Sequence, residues 1–199
     1  MALALQKSAL FTLLQLAVLL PLTQVAVRAS AAALPCSRSP VAGFAKKVTL
    51  APGLVFHWKV LYGNTLRAAI IAQASSGANK GWVAIGWTKS AGKMYPADAV
   101  VGNLGSKPAK VEPYAMTSYS AVAKSSAFTV TSAVVARKSR STVIRFTRSG
   151  TSGLSPINYK GSNDMVWAYS VDGSTTIGGH GTNRYARTIC ILRSKLTFE

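Results

Sequence analysis

The pattern of apolar and polar positions along most of this chain predicts β-strands. Short runs rich in Val, Ile, Thr, Phe, Trp and Tyr alternate with segments of Gly, Ser, Asn and Pro. After residue 31, no stretch sustains the 3.6-residue repeat of an amphipathic helix. The predicted strands are 47–50, 54–61, 66–74, 81–88, 97–102, 111–119, 128–136, 142–148, 165–171 and 187–193.

Alternation within two neighbouring runs predicts a hairpin. In the run 128–136 the even-numbered positions through Val134 share one face, and in the run 142–148 the even-numbered positions do the same. The turn residues 138–140 lie between the two runs. About ten short strands without crossover helices favour an antiparallel β-sandwich of immunoglobulin-like architecture. The fold class is therefore all-β.

The N-terminal segment has the order of a cleavable signal peptide. Lys7 precedes an apolar run from Ala9 to Leu20, and the sequence Ala29–Ala31 gives the A-x-A pattern of a cleavage site. A membrane anchor needs about 20 continuous apolar residues, and Gln15 and Pro21 interrupt this run. We predict a signal peptide at 1–31, a leader at 32–45 and one β-sandwich domain at 46–199. The protein is then secreted and extracellular, in the cell wall or apoplast if its source is a plant or alga.

Two cysteines remain in the predicted mature chain, Cys36 and Cys190. An oxidising compartment permits them to form a disulfide bond. The bond would close nearly the whole domain into one loop, which the chain-entropy account values at about 4 to 5 kcal/mol.

The chain is strongly basic, with 23 Lys and Arg against 5 Asp and Glu. Such a surface attracts polyanions. For a secreted protein these are an acidic polysaccharide or an anionic membrane surface, and no nucleic acid is inferred from charge alone. Because the cations are scattered among the strands, a solvated, solubilising surface is the alternative interpretation.

Hydrolytic activity is poorly supported by the residue inventory. A glycosidase needs two carboxylates that flank the scissile bond, and the few acidic residues do not form a recognisable pair. His57 and His180 are the two histidines, and no GxSxG motif accompanies them. His57 lies within a predicted strand and is interpreted as structural. We therefore do not expect the protein to have a catalytic site of its own.

The most informative motifs lie in the middle and late parts of the chain. They are GWVAIGW at 81–87, GKM at 92–94, ADAVVG at 97–102, WAYS at 167–170 and GHG at 179–181. In combination they resemble the DOMON family of extracellular β-sandwich domains. The resemblance extends from about Leu54 to Arg187.

The resemblance implies a cofactor. Some DOMON domains bind a non-covalent b-type haem between a Met that follows the GW strand and a His in a late loop. The matching residues here are Met94 and His180, which would be the axial ligands of the haem iron. Two such ligands leave no open coordination position, which favours electron transfer. Lys93 and Arg184 adjoin them in sequence and are proposed partners of the haem propionates.

Other interpretations stay open at this stage. Met94 alone is a common gap filler, and Met116 and Met165 are substitute sulfur ligands. The rival function is an extracellular module that binds a carbohydrate or small ligand without haem. If haem is bound, the resemblance implies ascorbate, superoxide, quinones or a membrane cytochrome of the b561 type as redox partners.

Overall fold

The strands of the protein are seen in a computed structural model, which describes residues 34–138, 140–149, 151–174, 176–177 and 182–192. The predicted signal peptide lies outside these ranges. Within them, no helix is long and apolar enough to cross a membrane. The described strands are β1 Ser37–Arg38, β2 Lys46–Ala51, β3 Leu54–Leu61, β4 Thr65–Gln73, β5 Trp82–Thr88, β6 Ala97–Asn103, β7 Lys110–Met116, β8 Val122–Lys124, β9 Thr129–Lys138, β10 Ser141–Ser149, β11 Lys160–Tyr169 and β12 Arg184–Leu192.

The strands form two six-stranded antiparallel sheets. The first sheet has the order β1-β2-β3-β4-β10-β9, and the second has the order β12-β11-β5-β6-β7-β8. Their inner faces form one apolar core, to which both sheets contribute large side chains such as Trp58, Phe146 and Trp87. The predicted all-β sandwich is thus confirmed. All ten predicted runs contain a strand, and the short strands β1 and β8 were not predicted.

The predicted hairpin is formed by β9 and β10, but one of its faces differs from the prediction. Thr142, Ile144 and Phe146 are buried on one face of β10, as alternation predicts. The register between β9 and β10 shifts between Arg145 and Thr147 of β10, which marks a β-bulge. Ser132, opposite this point, has a φ of 50°. The bulge reverses the alternation.

Val134 therefore does not share a face with Val130. Val130 and Val135 pack against the core, whereas Val134 is 52% exposed. The prediction for Val134 was wrong because strict alternation holds only while neither strand carries an extra residue.

Cys36 and Cys190 are neighbours, but both are free thiols in this structure. Leu34 forms a parallel bridge with Ile189, which brings the N-terminal segment beside β12. The Cys36 Sγ atom lies 3.6 Å from the carbonyl oxygen of Cys190. The Cys190 thiol instead lies 3.5 Å from the Ser162 hydroxyl. The disulfide bond stays a prediction.

His57 is a structural histidine of the first sheet. Its side chain is covered by the segment before β2, where the Ser39 hydroxyl lies 2.9 Å from Nδ1 and the Phe44 ring centroid lies 6.2 Å from the imidazole centroid. Burial, and secondarily the charge of Lys47, lower the pKa of His57. The structural interpretation of His57 agrees with these contacts.

A buried ion pair connects the two sheets. Asp98 belongs to β6 and Arg148 to β10, and Arg148 Nη2 lies 3.4 Å from Asp98 Oδ2 with neither side chain exposed. The Arg148 guanidinium lies between two aromatic rings, 4.3 Å from the Trp87 centroid and 4.2 Å from the Phe128 centroid. Burial lowers the pKa of Arg148 to about 10, against the opposing effect of Asp98. Arg148 is therefore charged at neutral pH.

Asp98 also fixes the segment that follows β10. Its carboxylate accepts hydrogen bonds from the backbone N–H groups of Leu154 and Ser155, at 3.1 and 2.9 Å. Gly153 has a φ of 120°, and a Cβ atom there would collide with the Asp98 carboxylate. Asp98 therefore has a structural, hydrogen-bonding role.

We predict that Asp98→Asn destabilises the fold. The substitution leaves the Arg148 charge buried without its partner, and such a change lowers the free energy of unfolding by about 3 to 5 kcal/mol. Urea unfolding followed by circular dichroism measures the loss. Glu112→Gln is the control, because Glu112 forms an ion pair with the exposed Lys124. The free energy of unfolding should fall much less in this variant. Equal losses in the two variants would contradict the assignment.

We also predict that His57 makes stability depend on pH. Its pKa is lowered in the folded state from 6.5, so the unfolded chain binds the proton more readily. The free energy of unfolding should therefore fall as the pH drops below about 6.5. Unfolding of the haem-free protein between pH 8 and 5 measures this slope, which should be smaller in His57→Gln. His180→Gln is the control, and an unchanged slope in His57→Gln would refute the prediction.

Candidate functional site

The central strand of the second sheet is buried on both of its faces. All seven residues of β5 are buried, although a sheet at the surface of a sandwich usually has a solvated outer face. Val83, Ile85 and Trp87 face the core. On the outer face, a second apolar cluster is formed by Trp82, Ala84, Val101 and Ala168, with Met94, Tyr114 and Ile177 packed against it.

An apolar cleft lies over this outer face. It encloses about 640 Å³, including its mouth, which is open to solvent. Small residues form its floor where the strands run side by side: Ala84 and Gly86 of β5, Ala99 of β6 and Ala168 of β11. Larger side chains such as Trp82 and Tyr114 form its walls. A cleft lined mainly by apolar and aromatic side chains is typical of a small-molecule or cofactor site.

Gly86 is needed for the floor of the cleft. A Cβ atom at this position would lie 3.0 Å from the Asp98 carbonyl oxygen and 3.0 Å from Cγ2 of Val166. The glycine therefore lets β6 and β11 approach β5 closely on both sides. The Gly in the GWVAIGW motif has a packing reason that does not depend on a ligand.

Met94 lines the cleft from the loop that joins β5 to β6. The side chain is half-buried and packs against the outer cluster. The Thr88 and Ser155 hydroxyls both donate to the carbonyl oxygen of Pro96, each at 3.1 Å. Because Ser155 is itself bound by Asp98, the loop that carries Met94 is connected to the buried ion pair.

The segment after β11 borders the cleft at the other end of β5. The Trp82 indole N–H donates to the carbonyl oxygen of Thr176 at 3.0 Å, and Ile177 lines the cleft. The chain is described again from Thr182, and the Tyr169 N–H donates to the Asn183 carbonyl at 3.1 Å. His180 lies outside the described residues.

The other site residues predicted from the sequence differ in where they lie relative to the cleft. Lys93 and Arg184 are exposed, Lys93 beside Met94 and Arg184 at the first position of β12. Of the two substitute sulfur ligands, Met116 lines the cleft. Met165 is fully buried in the core between the sheets, which removes it as a ligand for the cleft.

Sequence reasoning missed the tyrosines at the mouth of the cleft. Tyr119 lines the cleft and is 70% exposed. Its ring meets that of Tyr95 edge-on, with the centroids 4.6 Å apart. The sequence placed Tyr119 in a strand, but β7 ends at Met116. No local motif marks the two residues as neighbours.

Burial also affects Tyr114, on the wall of the cleft. Burial, and secondarily the charge of Glu112, raise the pKa of the Tyr114 hydroxyl. The hydroxyl points to Glu112, with Oη 3.5 Å from Oε2. Tyr114 therefore presents a neutral, mainly apolar ring to the cleft at physiological pH.

Comparisons with known proteins agree with this fold. A family model described as the DOMON domain matches residues 53–177. Among solved structures, the chain is similar to the cytochrome b domain of pyranose dehydrogenase from Coprinopsis cinerea, with a TM-score of 0.57 and 15% sequence identity. That likeness covers 79% of this chain and 88% of the other and shows a shared fold. A comparison with curated proteins gives no match. The family match contains Met94 and ends three residues before His180.

We predict that Trp82→Phe loosens the segment that borders the cleft. The variant loses the hydrogen bond to Thr176, which should cost about 1 kcal/mol. Hydrogen–deuterium exchange over residues 170–177 should become faster. Trp58→Phe is the control, because the Trp58 indole N–H has no hydrogen-bond partner among the described residues. Unchanged exchange in Trp82→Phe would show that this bond does not hold the segment.

Proposed function

The chain belongs to the DOMON domain family, and we propose that it is a secreted domain that binds a b-type haem in the cleft. Met94 and His180 are proposed as the axial ligands. The proposed role is extracellular electron transfer, without intrinsic catalysis.

The position of Met94 is the observation that carries this proposal. A thioether is an established axial ligand of haem iron and favours the ferrous state. Met94 brings its sulfur to an apolar cleft with a floor of small side chains. Such a floor fits a flat, apolar macrocycle better than a polar substrate. The residue inventory of the cleft is therefore compatible with haem.

The position of His180 is supported by chain connectivity. His180 follows Ile177 by three residues, and three residues of chain span at most about 11 Å. Ile177 lines the cleft, so the proposal needs only a short length of chain between the cleft and the histidine. Met94 and Ile177 belong to segments at opposite ends of β5, which suits ligands that approach one ring from two sides.

The remaining residues have supporting roles in the proposal. Trp82, Tyr114 and Val101 give the cleft an apolar lining, which would lower the local dielectric constant around a bound haem. Lys93 and Arg184 are exposed cations on the two ligand-bearing segments, which suits them to pair with propionate carboxylates. When bound, a haem with two protein ligands exchanges one electron at its iron.

The similar solved structure supports a cofactor module over an enzyme. It is the cytochrome b domain of a pyranose dehydrogenase. For this chain we propose small redox molecules such as ascorbate, superoxide or quinones, or a membrane cytochrome of the b561 type, as partners.

Visible spectroscopy of the purified full-length protein tests the proposal. We expect a Soret band that sharpens and shifts on reduction with dithionite, either as purified or after addition of haem. Met94→Ala should weaken haem retention or change the reduced spectrum. Met116→Ala is the matched control, because it removes another thioether that lines the cleft and should leave the spectrum unchanged.

The same measurement on His180→Ala tests the second ligand.

The two methionine variants distinguish the sulfur ligand. If Met116→Ala changes the spectrum and Met94→Ala does not, the sulfur ligand is Met116. A colourless protein that does not take up added haem would overturn the proposal. The cleft would then belong to a module that binds a carbohydrate or another small ligand.

A further inference from the structure

The acidic residues of the described strands all lie on one of the two sheets. Among the described residues, the six strands of the first sheet contain no Asp or Glu. Asp98, Glu112 and Asp164 belong to strands of the second sheet, and Asp172 follows β11. The first sheet carries the cations Arg38, Lys46, Lys47, Lys59, Arg67, Arg137, Lys138, Arg145 and Arg148.

Four of these cations form a patch on the outer face of the first sheet, which we call the basic face. It consists of Lys47 on β2, Lys59 on β3, Arg67 on β4 and Arg145 on β10. Their neighbours along each strand, such as Val48, Trp58 and Ala68, are buried in the core. Alternation therefore directs the four cations outward.

The register brings like charges together on the basic face. Lys59 pairs directly with Arg67 across β3 and β4. Arg67 pairs with Thr147, which places Arg145 diagonally next to it, at about 7 to 8 Å. Like charges at directly opposed positions are unfavourable. A bound polyanion would remove this repulsion.

The basic face includes a depression suited to an acidic sugar. Its lining contains the side chains of Arg67 and Arg145 together with Phe44, Ser132 and Thr147, around about 600 Å³ that includes the open mouth. Guanidinium groups bind carboxylate or sulfate with two parallel hydrogen bonds. Hydroxyl groups and an aromatic ring complete the set of side chains that commonly contact sugars.

No carboxylate of the described residues forms an ion pair with the exposed part of this patch. Lys59, Arg67 and Arg145 are exposed and form no ion pair with any described residue. The Lys47 charge contributes to the lowered pKa of the buried His57, which agrees with a positive potential at this face.

We propose that the basic face binds an acidic polysaccharide, through its uronate or sulfate groups. Adjacent strands lie about 4.8 Å apart, so the cations of four strands form a band across the sheet. A band of this kind fits a polymer with repeated anionic groups better than a single small anion. The cleft lies on the opposite side of the sandwich and stays accessible. This inference does not depend on haem binding.

Binding of the full-length protein to polygalacturonate tests the proposal, with dextran as the uncharged comparison. We expect the triple variant Lys59→Gln, Arg67→Gln, Arg145→Gln to lose affinity by about tenfold or more. The matched control is Lys107→Gln, Lys110→Gln, Lys160→Gln, which removes the same charge from exposed positions outside the basic face. It should lose less than about threefold.

Equal losses in the two triple variants would overturn the proposal, because affinity would then depend on net charge alone. Absence of binding by the unaltered protein would also overturn it. Tighter binding through the same face to phosphatidylserine vesicles than to polygalacturonate would assign the face to membranes instead. Met94→Ala should bind polygalacturonate as tightly as the unaltered protein does. A failure of the haem proposal would therefore leave the polysaccharide result unchanged.

Discussion

The buried ion pair between Asp98 and Arg148 is the constraint on which the site depends. A charge without access to water needs its partner and its hydrogen bonds in place. Arg148 comes from the first sheet and Asp98 from the second, so the pair fixes the sheets relative to each other. Asp98 also holds Ser155, whose hydroxyl binds the Pro96 carbonyl near Met94. The loop at the cleft is thus connected to the centre of the sandwich.

The cleft exists because the two apolar faces of the second sheet carry side chains of different size. Its inner face uses large residues such as Ile85 and Trp87 to fill the core. Its outer face uses small residues such as Ala84 and Ala168, which leave space above the strands. The alternating residues of β5 therefore fill the core on one side and border the cleft on the other. The described part of the chain forms no such cluster on the outer face of the first sheet, which carries cations.

Local sequence patterns predicted the strands. The features that they did not predict depend on contacts between residues far apart in the sequence. Alternation is visible within one strand, so Leu54–Leu61 was predicted with its observed bounds. Met94 was identified through family motifs, and the cleft contains it. Arg148 was not recognised, because a cation near the end of β10 resembles an ordinary solvated residue and its partner lies fifty positions earlier. The bulge at Ser132 and the Tyr95–Tyr119 contact also arise only from tertiary structure.

The clustering of cations on the basic face could not be predicted from net charge, because it depends on strand order. At physiological ionic strength the Debye length is about 8 Å. Cations on adjacent strands lie within that distance and reinforce one another. The outer faces of two sheets packed about 10 Å apart are farther from each other than one Debye length. The basic face and the cleft therefore influence each other weakly, so a polyanion bound at the first would leave the electrostatic environment of the second nearly unchanged.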